Sequence, residues 1–179
     1  TEYKNEGYFG RAQYNYAQKY FGSFSFRRDG SSRFHPDNRW GNFFSVGAAW
    51  VMSEESFLKD IKPIDFLKLK LSYGEQGNDN IPDYLYINTY SIVNSVGGPA
   101  AKPLRMGNKD ITWEKGGNLN VGVDFELFKN RLNGTIEYFW RKTSDMLFKF
   151  SLPTSYGYTS YYANVGDMKN SGIEITLDG

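Results

Sequence analysis

The strongest constraint on the fold is an alternation of apolar and polar residues with a period of two. It is clearest in 118–128, where Leu119, Val121 and Val123 alternate with Asn120 and Asp124. Residues two apart in a β-strand point to the same face of a sheet, so each such segment predicts a strand with one apolar and one polar face. The same pattern marks seven segments: 8–16, 20–28, 44–50, 66–74, 118–128, 132–141 and a strand beginning at Ile173. The sequence therefore predicts an all-β, antiparallel fold.

The links between these segments favour a membrane barrel over a half-solvated sheet. The links Ala17–Lys19 and Lys129–Asn130 are tight, whereas 29–43, 75–111 and 143–171 are long. Link 52–65 is intermediate and is predicted to hold a short helix near Glu54–Lys59, with Ser53 as its N-cap. Short periplasmic turns with long outer loops are typical of outer-membrane barrels. We predict a partial transmembrane β-barrel of about seven strands that belong to a larger barrel.

Aromatic residues make up 18% of the chain, and many lie near the predicted strand ends. The aromatic residues at these ends are Tyr16, Tyr20, Trp50 and Phe128, with Trp40 and Trp113 near the outer rim. Tyr and Trp gather where a membrane surface meets water, so this distribution predicts two interfacial girdles.

The alternation also assigns side chains to the two surfaces of the barrel. The residues predicted to face lipid are Phe24, Phe26, Val46, Leu67, Leu69, Leu71, Leu119, Val121, Val123, Phe125 and Ile136. The residues predicted to face the lumen are Lys68, Lys70, Asn120, Asp124, Glu126, Glu137 and Arg141. The polar set is expected to form either cross-strand pairs or a polar track along the interior.

The sequence offers little chemistry for catalysis or cofactors. It has no cysteine, which excludes disulfides and thiolate sites. The net charge of +1 gives no argument for nucleic acid. The single histidine, His35, is expected in a loop, and the acids Asp79 and Asp83 lack the spacing of a calcium loop. No nucleophile–base or metal constellation is visible, so we predict no catalytic residue, no metal, no cofactor and no enzyme activity.

Three groups of residues resemble a known family. The first comprises 27–34 (Arg-Arg-Asp-Gly-Ser-Ser-Arg-Phe), 38–41 (Asn-Arg-Trp-Gly), 48–50 (Ala-Ala-Trp) and 53–55 (Ser-Glu-Glu). The second is 112–115 (Thr-Trp-Glu-Lys) with 120–125 and 130–132, and the third is 163–166 (Ala-Asn-Val-Gly) with 170–174. In this order they resemble the SusC/RagA-like TonB-dependent outer-membrane transporters of the Bacteroidetes.

This resemblance implies a bacterial outer-membrane protein that imports oligosaccharides or peptides. It implies a SusD-like lipoprotein and TonB as partners of the full-length protein, contact with outer-membrane lipids and no nucleic acid. Residues 1–179 would be a late part of the barrel, truncated at both ends and without the plug domain. Seven strands would not close a barrel, since single-chain bacterial barrels have an even number from eight upward.

The segment Arg28, Asp29, Gly30, Ser31, Ser32 and Arg33 is predicted to be an outer-loop motif, with a turn at Asp29-Gly30. Arg27, Arg28 and Asp29 either contact substrate or lipopolysaccharide, or simply shape a charged strand end. Substrate-contacting residues are not assigned, because specificity would lie in the outer loops and the plug. Two alternatives remain: a soluble all-β carbohydrate-binding module and a complete eight-stranded membrane barrel.

Overall fold

The computed structural model describes residues 3–179, and within them the chain forms eleven β-strands. The strands are β1 (Asn5–Tyr16), β2 (Tyr20–Ser31), β3 (Trp40–Val51), β4 (Ile64–Asn78), β5 (Thr89–Ser95), β6 (Gly98–Arg105), β7 (Glu114–Leu127), β8 (Leu132–Ser144), β9 (Leu147–Ser151), β10 (Ser160–Asn164) and β11 (Met168–Asp178). Three short 3-10 turns lie at Pro36–Asn38, Met52–Glu54 and Thr154–Tyr156. The described residues contain no helix of the length and apolarity needed to cross a membrane.

Seven strands form one antiparallel sheet in the order β1-β2-β3-β4-β7-β8-β11. These are the seven strands that the alternation predicts, and the antiparallel all-β prediction is confirmed. Within the described residues, β1 and β11 are the edges of this main sheet, so it is an open sheet. A second sheet, in the order β5-β6-β10-β9, is built from the two longest connections between main-sheet strands.

The tight links lie together where one set of strand ends meets, which we call the short-turn end of the main sheet. At the β1–β2 turn, Ala17 and Gln18 adopt left-handed φ angles of 51° and 56°. The amide of Lys19 donates to the Tyr16 carbonyl at 3.0 Å, and Asn15 Oδ1 accepts from the Gln18 amide at 3.1 Å. The predicted tight turn is confirmed.

The β7–β8 turn is slightly longer than predicted and is held by a residue of another strand. Phe128, Lys129 and Asn130 have φ angles of 57°, 60° and 60°. Successive left-handed residues are unfavourable for L-amino acids. The carboxylate of Asp65, in β4, accepts from the amides of Lys129 at 2.6 Å and Asn130 at 3.1 Å, which stabilises the turn.

The helix predicted in 52–65 is wrong. Met52–Glu54 form one 3-10 turn, and Ser53 lies inside it instead of capping a helix. Glu55 has extended backbone angles of −82° and 146°, which end the turn. Its carboxylate accepts hydrogen bonds from Tyr20 and Trp50, and its carbonyl accepts from the amides of Leu58 and Lys59, each at 3.0 Å. A single hydrogen-bonded turn therefore stands where the helix was predicted.

The strands extend further toward the long loops than the alternation predicts. Asp29 pairs with Gly7 of β1 and Gly41 of β3, so the turn predicted at Asp29-Gly30 is wrong. Arg28, Asp29, Gly30 and Ser31 lie in β2, and only Ser32 and Arg33 of the predicted outer-loop motif follow it. The local turn preference of an Asp-Gly pair yields here to backbone pairing on both sides.

Buried apolar residues cluster at the opposite ends of the strands, which we call the long-loop end of the main sheet. The cluster, which we call the rim core, consists of Phe34, Phe43, Ile81, Leu85, Ile111 and Trp113, with Leu147 and Tyr162 packed against it. Its members come from β3 and from the connections that precede β3, β5 and β7. The loops of the long-loop end are therefore folded around a core of their own.

Candidate functional site

The strand register assigns the two sets of predicted residues to opposite faces of the main sheet. Partners directly across a ladder share a face, and Phe24 pairs with Val46, which pairs with Tyr73. All the predicted lipid-facing residues lie on this face, which we call the apolar face. All the predicted lumen-facing residues, from Lys68 to Arg141, lie on the other, the polar face.

The apolar face is uncovered. Phe24, Val46 and Leu71 are 51%, 47% and 47% exposed, and Val121 and Ile136 are exposed as well. A contiguous apolar surface of this kind marks contact with a partner or with lipid. In a soluble sandwich the same residues would be buried between two sheets.

The polar face carries paired charges around a shallow cavity. Lys70 Nζ lies 2.7 Å from Asp124 Oδ1, and Thr135 Oγ1 donates to the same oxygen at 3.0 Å. Lys68 Nζ lies 5.7 Å from the centre of the Phe21 ring. Phe21, Lys68 and Lys70 border a cavity of about 530 Å³ that is also lined by Asn120 and Glu137. Its walls combine both charge signs with amide groups, which suits polar contacts.

The rim core is where the sequence motifs meet. The Trp113 ring centre lies 5.1 Å from that of Phe34 and 5.6 Å from that of Phe43. Trp113 Nε1 donates to the Arg39 carbonyl at 3.0 Å. Segment 112–115 therefore packs against segments 27–34 and 38–41, although Trp113 is 74 residues from Arg39 in sequence. Trp113 is only 5% exposed, so its predicted place in an interfacial girdle is wrong.

Asn164, from the Ala-Asn-Val-Gly motif, ties two connections to this core. Its Nδ2 donates to the carbonyls of Thr112 at 2.9 Å and Asp145 at 2.7 Å. Its Oδ1 accepts from the Thr112 amide at 2.9 Å. The amide side chain thus replaces backbone pairing where no strand is available.

Arg33 contacts the connection that carries Asp79 and Asp83. Its guanidinium Nε lies 3.2 Å from Asp83 Oδ1, and its Nη1 donates to the Asp79 carbonyl at 2.8 Å. Asp79 Oδ2 accepts from the Tyr3 hydroxyl at 2.7 Å, and this hydrogen bond raises the pKa of Tyr3. Across the described part of the chain, no group of three or more His, Asp or Glu residues is arranged to hold a metal.

His35 lies in the connection before β3, as predicted. Its Nδ1 accepts from the Asp37 amide at 3.4 Å and caps the short turn Pro36–Asn38. Its ring meets Tyr86 edge-on at 5.8 Å. These contacts give it a structural role in the loop.

Two rows of aromatic residues border the apolar face. At the short-turn end, the Tyr20 ring lies 6.4 Å from Tyr16 and 6.1 Å from Trp50. At the long-loop end, Tyr8 stacks on Trp40 at 6.2 Å. Phe128 is exposed in the β7–β8 turn.

Sequence comparison decides the family. A family model described as "TonB dependent receptor-like, beta-barrel" matches residues 1–179. The chain belongs to this family. Membership places it in the bacterial outer membrane. The predicted SusC/RagA-like family is confirmed, and the soluble binding module is not favoured.

The relatives include TonB-dependent receptors of two bacteria. TonB-dependent receptor P39 of Formosa agariphila is 39% identical over 94% of this chain and 16% of its own length. TonB-dependent receptor SusC of Bacteroides thetaiotaomicron is 35% identical over 96% of this chain and 18% of its own length. This chain therefore spans less than a fifth of these relatives.

Solved structures agree on the fold. The RagAB peptide importer in its closed-closed state superposes with a TM-score of 0.88 at 34% identity, covering 100% of this chain and 20% of that chain. The siderophore receptor PirA of Pseudomonas aeruginosa superposes at 0.64 with 13% identity, which indicates a shared fold alone.

Sequence reasoning missed the rim core and the second sheet. Phe34 and Trp113 stand inside the motifs that carry the family resemblance, but neither lies in an alternating strand segment. The available signal was the residue type, because Phe and Trp are among the side chains that proteins bury most.

Proposed function

We propose that this chain is a late barrel section of an outer-membrane, TonB-dependent importer of the SusC/RagA type, which takes up oligosaccharides or peptides. The observation that carries the proposal is the superposition of the whole chain on the RagAB peptide importer at 34% identity. Residues 1–179 supply wall strands and outer loops, and the plug domain lies elsewhere in the full-length protein.

In this proposal the apolar face contacts lipid and the polar face lines the lumen. Trp40 and Trp50 begin and nearly end β3, so ten residue steps separate them. At about 3.4 Å per residue and a tilt of about 40°, they stand roughly 26 Å apart along the membrane normal. An outer-membrane barrel carries an apolar band about 25 Å tall between its aromatic girdles. The spacing supports this orientation, with the long-loop end outside the cell.

Cysteine labelling in the full-length protein tests the orientation. Leu71→Cys and Lys70→Cys are adjacent in β4 but lie on opposite faces, and Val121→Cys and Asn120→Cys form a matched pair in β7. We expect a maleimide dissolved in the membrane to label positions 71 and 121 preferentially. A water-soluble maleimide that enters the lumen should prefer 70 and 120. The reverse preference would refute the assignment.

The proposed orientation also indicates where each partner would bind. A SusD-like lipoprotein would meet the long-loop end, where the rim core gives the outer loops a fixed shape, and TonB would act from the periplasm on the plug. The paired charges around Lys70 and Asp124 would face the interior. This arrangement gives the chain a role in binding and passage and none in chemistry on the substrate.

Uptake by intact cells tests the function. A strain that lacks the full-length gene should lose uptake of one class of fluorescent oligosaccharides or peptides, and the wild-type gene should restore it. Deletion of TonB should abolish the same uptake, because the importer depends on energy from the inner membrane. Equal uptake with and without the gene, across both substrate classes, would refute the proposal.

A further inference from the structure

Adjacent arginines in β2 have different surroundings. Arg27 lies on the polar face, where its Nε is 2.6 Å from Asp29 Oδ2. Arg28 lies on the apolar face, opposite Tyr8 of β1 and Asn42 of β3. Its guanidinium carbon lies 5.1 Å from the centre of the Trp40 ring. One of the two cations is therefore neutralised and the other is held against an aromatic surface.

Arg28 is exposed and, within residues 3–179, has no carboxylate at ion-pair distance. The carboxylate of Glu6, on the same face, accepts from the Tyr8 hydroxyl instead. Asn42 is also exposed, beside Arg28 on the neighbouring strand. A charged guanidinium and an amide donor thus stand side by side, and no acidic partner among residues 3–179 satisfies the guanidinium.

Gly30 leaves room for the Trp40 ring to lie flat against the sheet. A Cβ on Gly30 would lie 2.9 Å from Cζ3 of Trp40, so only glycine lets the ring lie on the sheet. The ring in turn stacks on Tyr8 of β1, on the far side of β2. Stacking on an aromatic face orients a planar guanidinium and leaves its N–H groups free to donate.

We infer that Arg28, supported by Trp40 and Asn42, binds a phosphate of the phosphorylated glycolipid in the outer leaflet of the outer membrane. The inference rests on the orientation proposed above, which puts Arg28 at the outer girdle. At that depth a cation meets lipid phosphates, and guanidinium matches their geometry with paired N–H donors. The apolar row below it, Phe24 and Phe26, would contact the acyl chains of the same lipid.

Native mass spectrometry of the full-length protein in detergent tests the site. The probes are diphosphoryl lipid A, the same glycolipid without phosphates, and inorganic phosphate. We expect Arg28→Gln to weaken binding of diphosphoryl lipid A about tenfold and to leave the phosphate-free glycolipid unchanged. Arg28→Lys, which keeps the charge but loses the planar stacking, should fall between.

Arg27→Gln is the matched control, since it removes a cation one residue away on the opposite face. It should leave lipid A binding within twofold of the wild type. Equal losses in both variants, no loss in Arg28→Gln, or equal loss of the phosphate-free glycolipid would overturn the inference. If inorganic phosphate binds at Arg28 as tightly as diphosphoryl lipid A does, the site is not specific for a lipid phosphate and the inference is also overturned.

The labelling experiment separates this inference from the proposed orientation. If position 71 reacts with the membrane probe and Arg28→Gln still binds lipid A normally, only the phosphate site fails. If position 70 reacts instead, the orientation fails and the site fails with it. Heat-modifiable migration on gels confirms that each variant barrel is folded.

Discussion

Replacing Trp113 tests whether the rim core holds the outer loops in place. Its ring is 5% exposed and packs on Phe34 and Phe43, so Trp113→Ala removes a buried aromatic side chain and leaves a cavity. Such truncations cost about 3–5 kcal/mol. Trp113→Phe keeps most of the ring but removes the Nε1 donor from the Arg39 carbonyl, at a cost of about 1–3 kcal/mol.

Hydrogen exchange of the full-length protein measures the effect locally. The amide of Thr112 donates to Asn164 Oδ1, and that of Asn108 donates to the Leu85 carbonyl, so both report on the rim core. For Trp113→Ala we expect their exchange to rise by roughly two to three and a half orders of magnitude. For Trp113→Phe we expect a smaller increase, of roughly one to two orders.

Trp50→Ala is the control at the far end of the sheet. Its indole also donates a hydrogen bond, to Glu55, but it lies at the short-turn end. It should leave exchange at Thr112 and Asn108 unchanged. If Trp113→Ala also left both amides protected, the loops would not depend on this core and the reasoning would fail.

Three further predictions concern individual polar contacts. Hydrogen bonds from Tyr20 and Trp50, with Lys19 nearby, lower the pKa of Glu55 from 4.5. The ionised carboxylate therefore stabilises the fold above pH 4.5, and this stabilisation is lost as the pH falls below that value. Trp50 fluorescence should change in that acid range, and Glu55→Gln should flatten the change; identical titrations would contradict this. Asp65→Asn should speed amide exchange at Lys129 and Asn130 about fivefold to tenfold, because a charged acceptor is replaced by a neutral one, while Asp60→Asn serves as a control without an effect there. Asn164→Ala should free both Thr112 and Asp145 and raise proteolytic cleavage of 145–167 in intact cells, whereas Asn170→Ala should not; equal cleavage would show that another contact holds this loop.

Much of the main sheet follows from local sequence. The alternation around Leu69 and Val121 predicts both the strands and which residues share a face, because strand periodicity is a property of the backbone. On the predicted polar face, Lys70 and Asp124 are paired in the structure as cross-strand contact allows. The pairing itself depends on register, which the hydrophobic pattern of both strands sets together.

The ends of the strands show where local reasoning fails. Asp29-Gly30 is a good turn sequence, yet β1 and β3 pair with it on both sides, and Trp40 covers the glycine. Ser53 is a good helix cap, yet it lies inside a 3-10 turn that ends at Glu55, whose carboxylate is bound by Tyr20 and Trp50 of neighbouring strands. In both cases contacts from distant residues outweigh preferences of about 1 kcal/mol.

The sequence alone determines an antiparallel sheet with one oily and one wet face, since the side-chain period of two is local and repeats along every long strand. Only the tertiary structure decides that Phe34, Trp113 and Asn164 meet at one rim, and that Arg27 and Arg28 have different partners. The contacts at the rim join segments with no common period, those of the two arginines depend on what the neighbouring strands place beside them, and both exist only once the strands are in register.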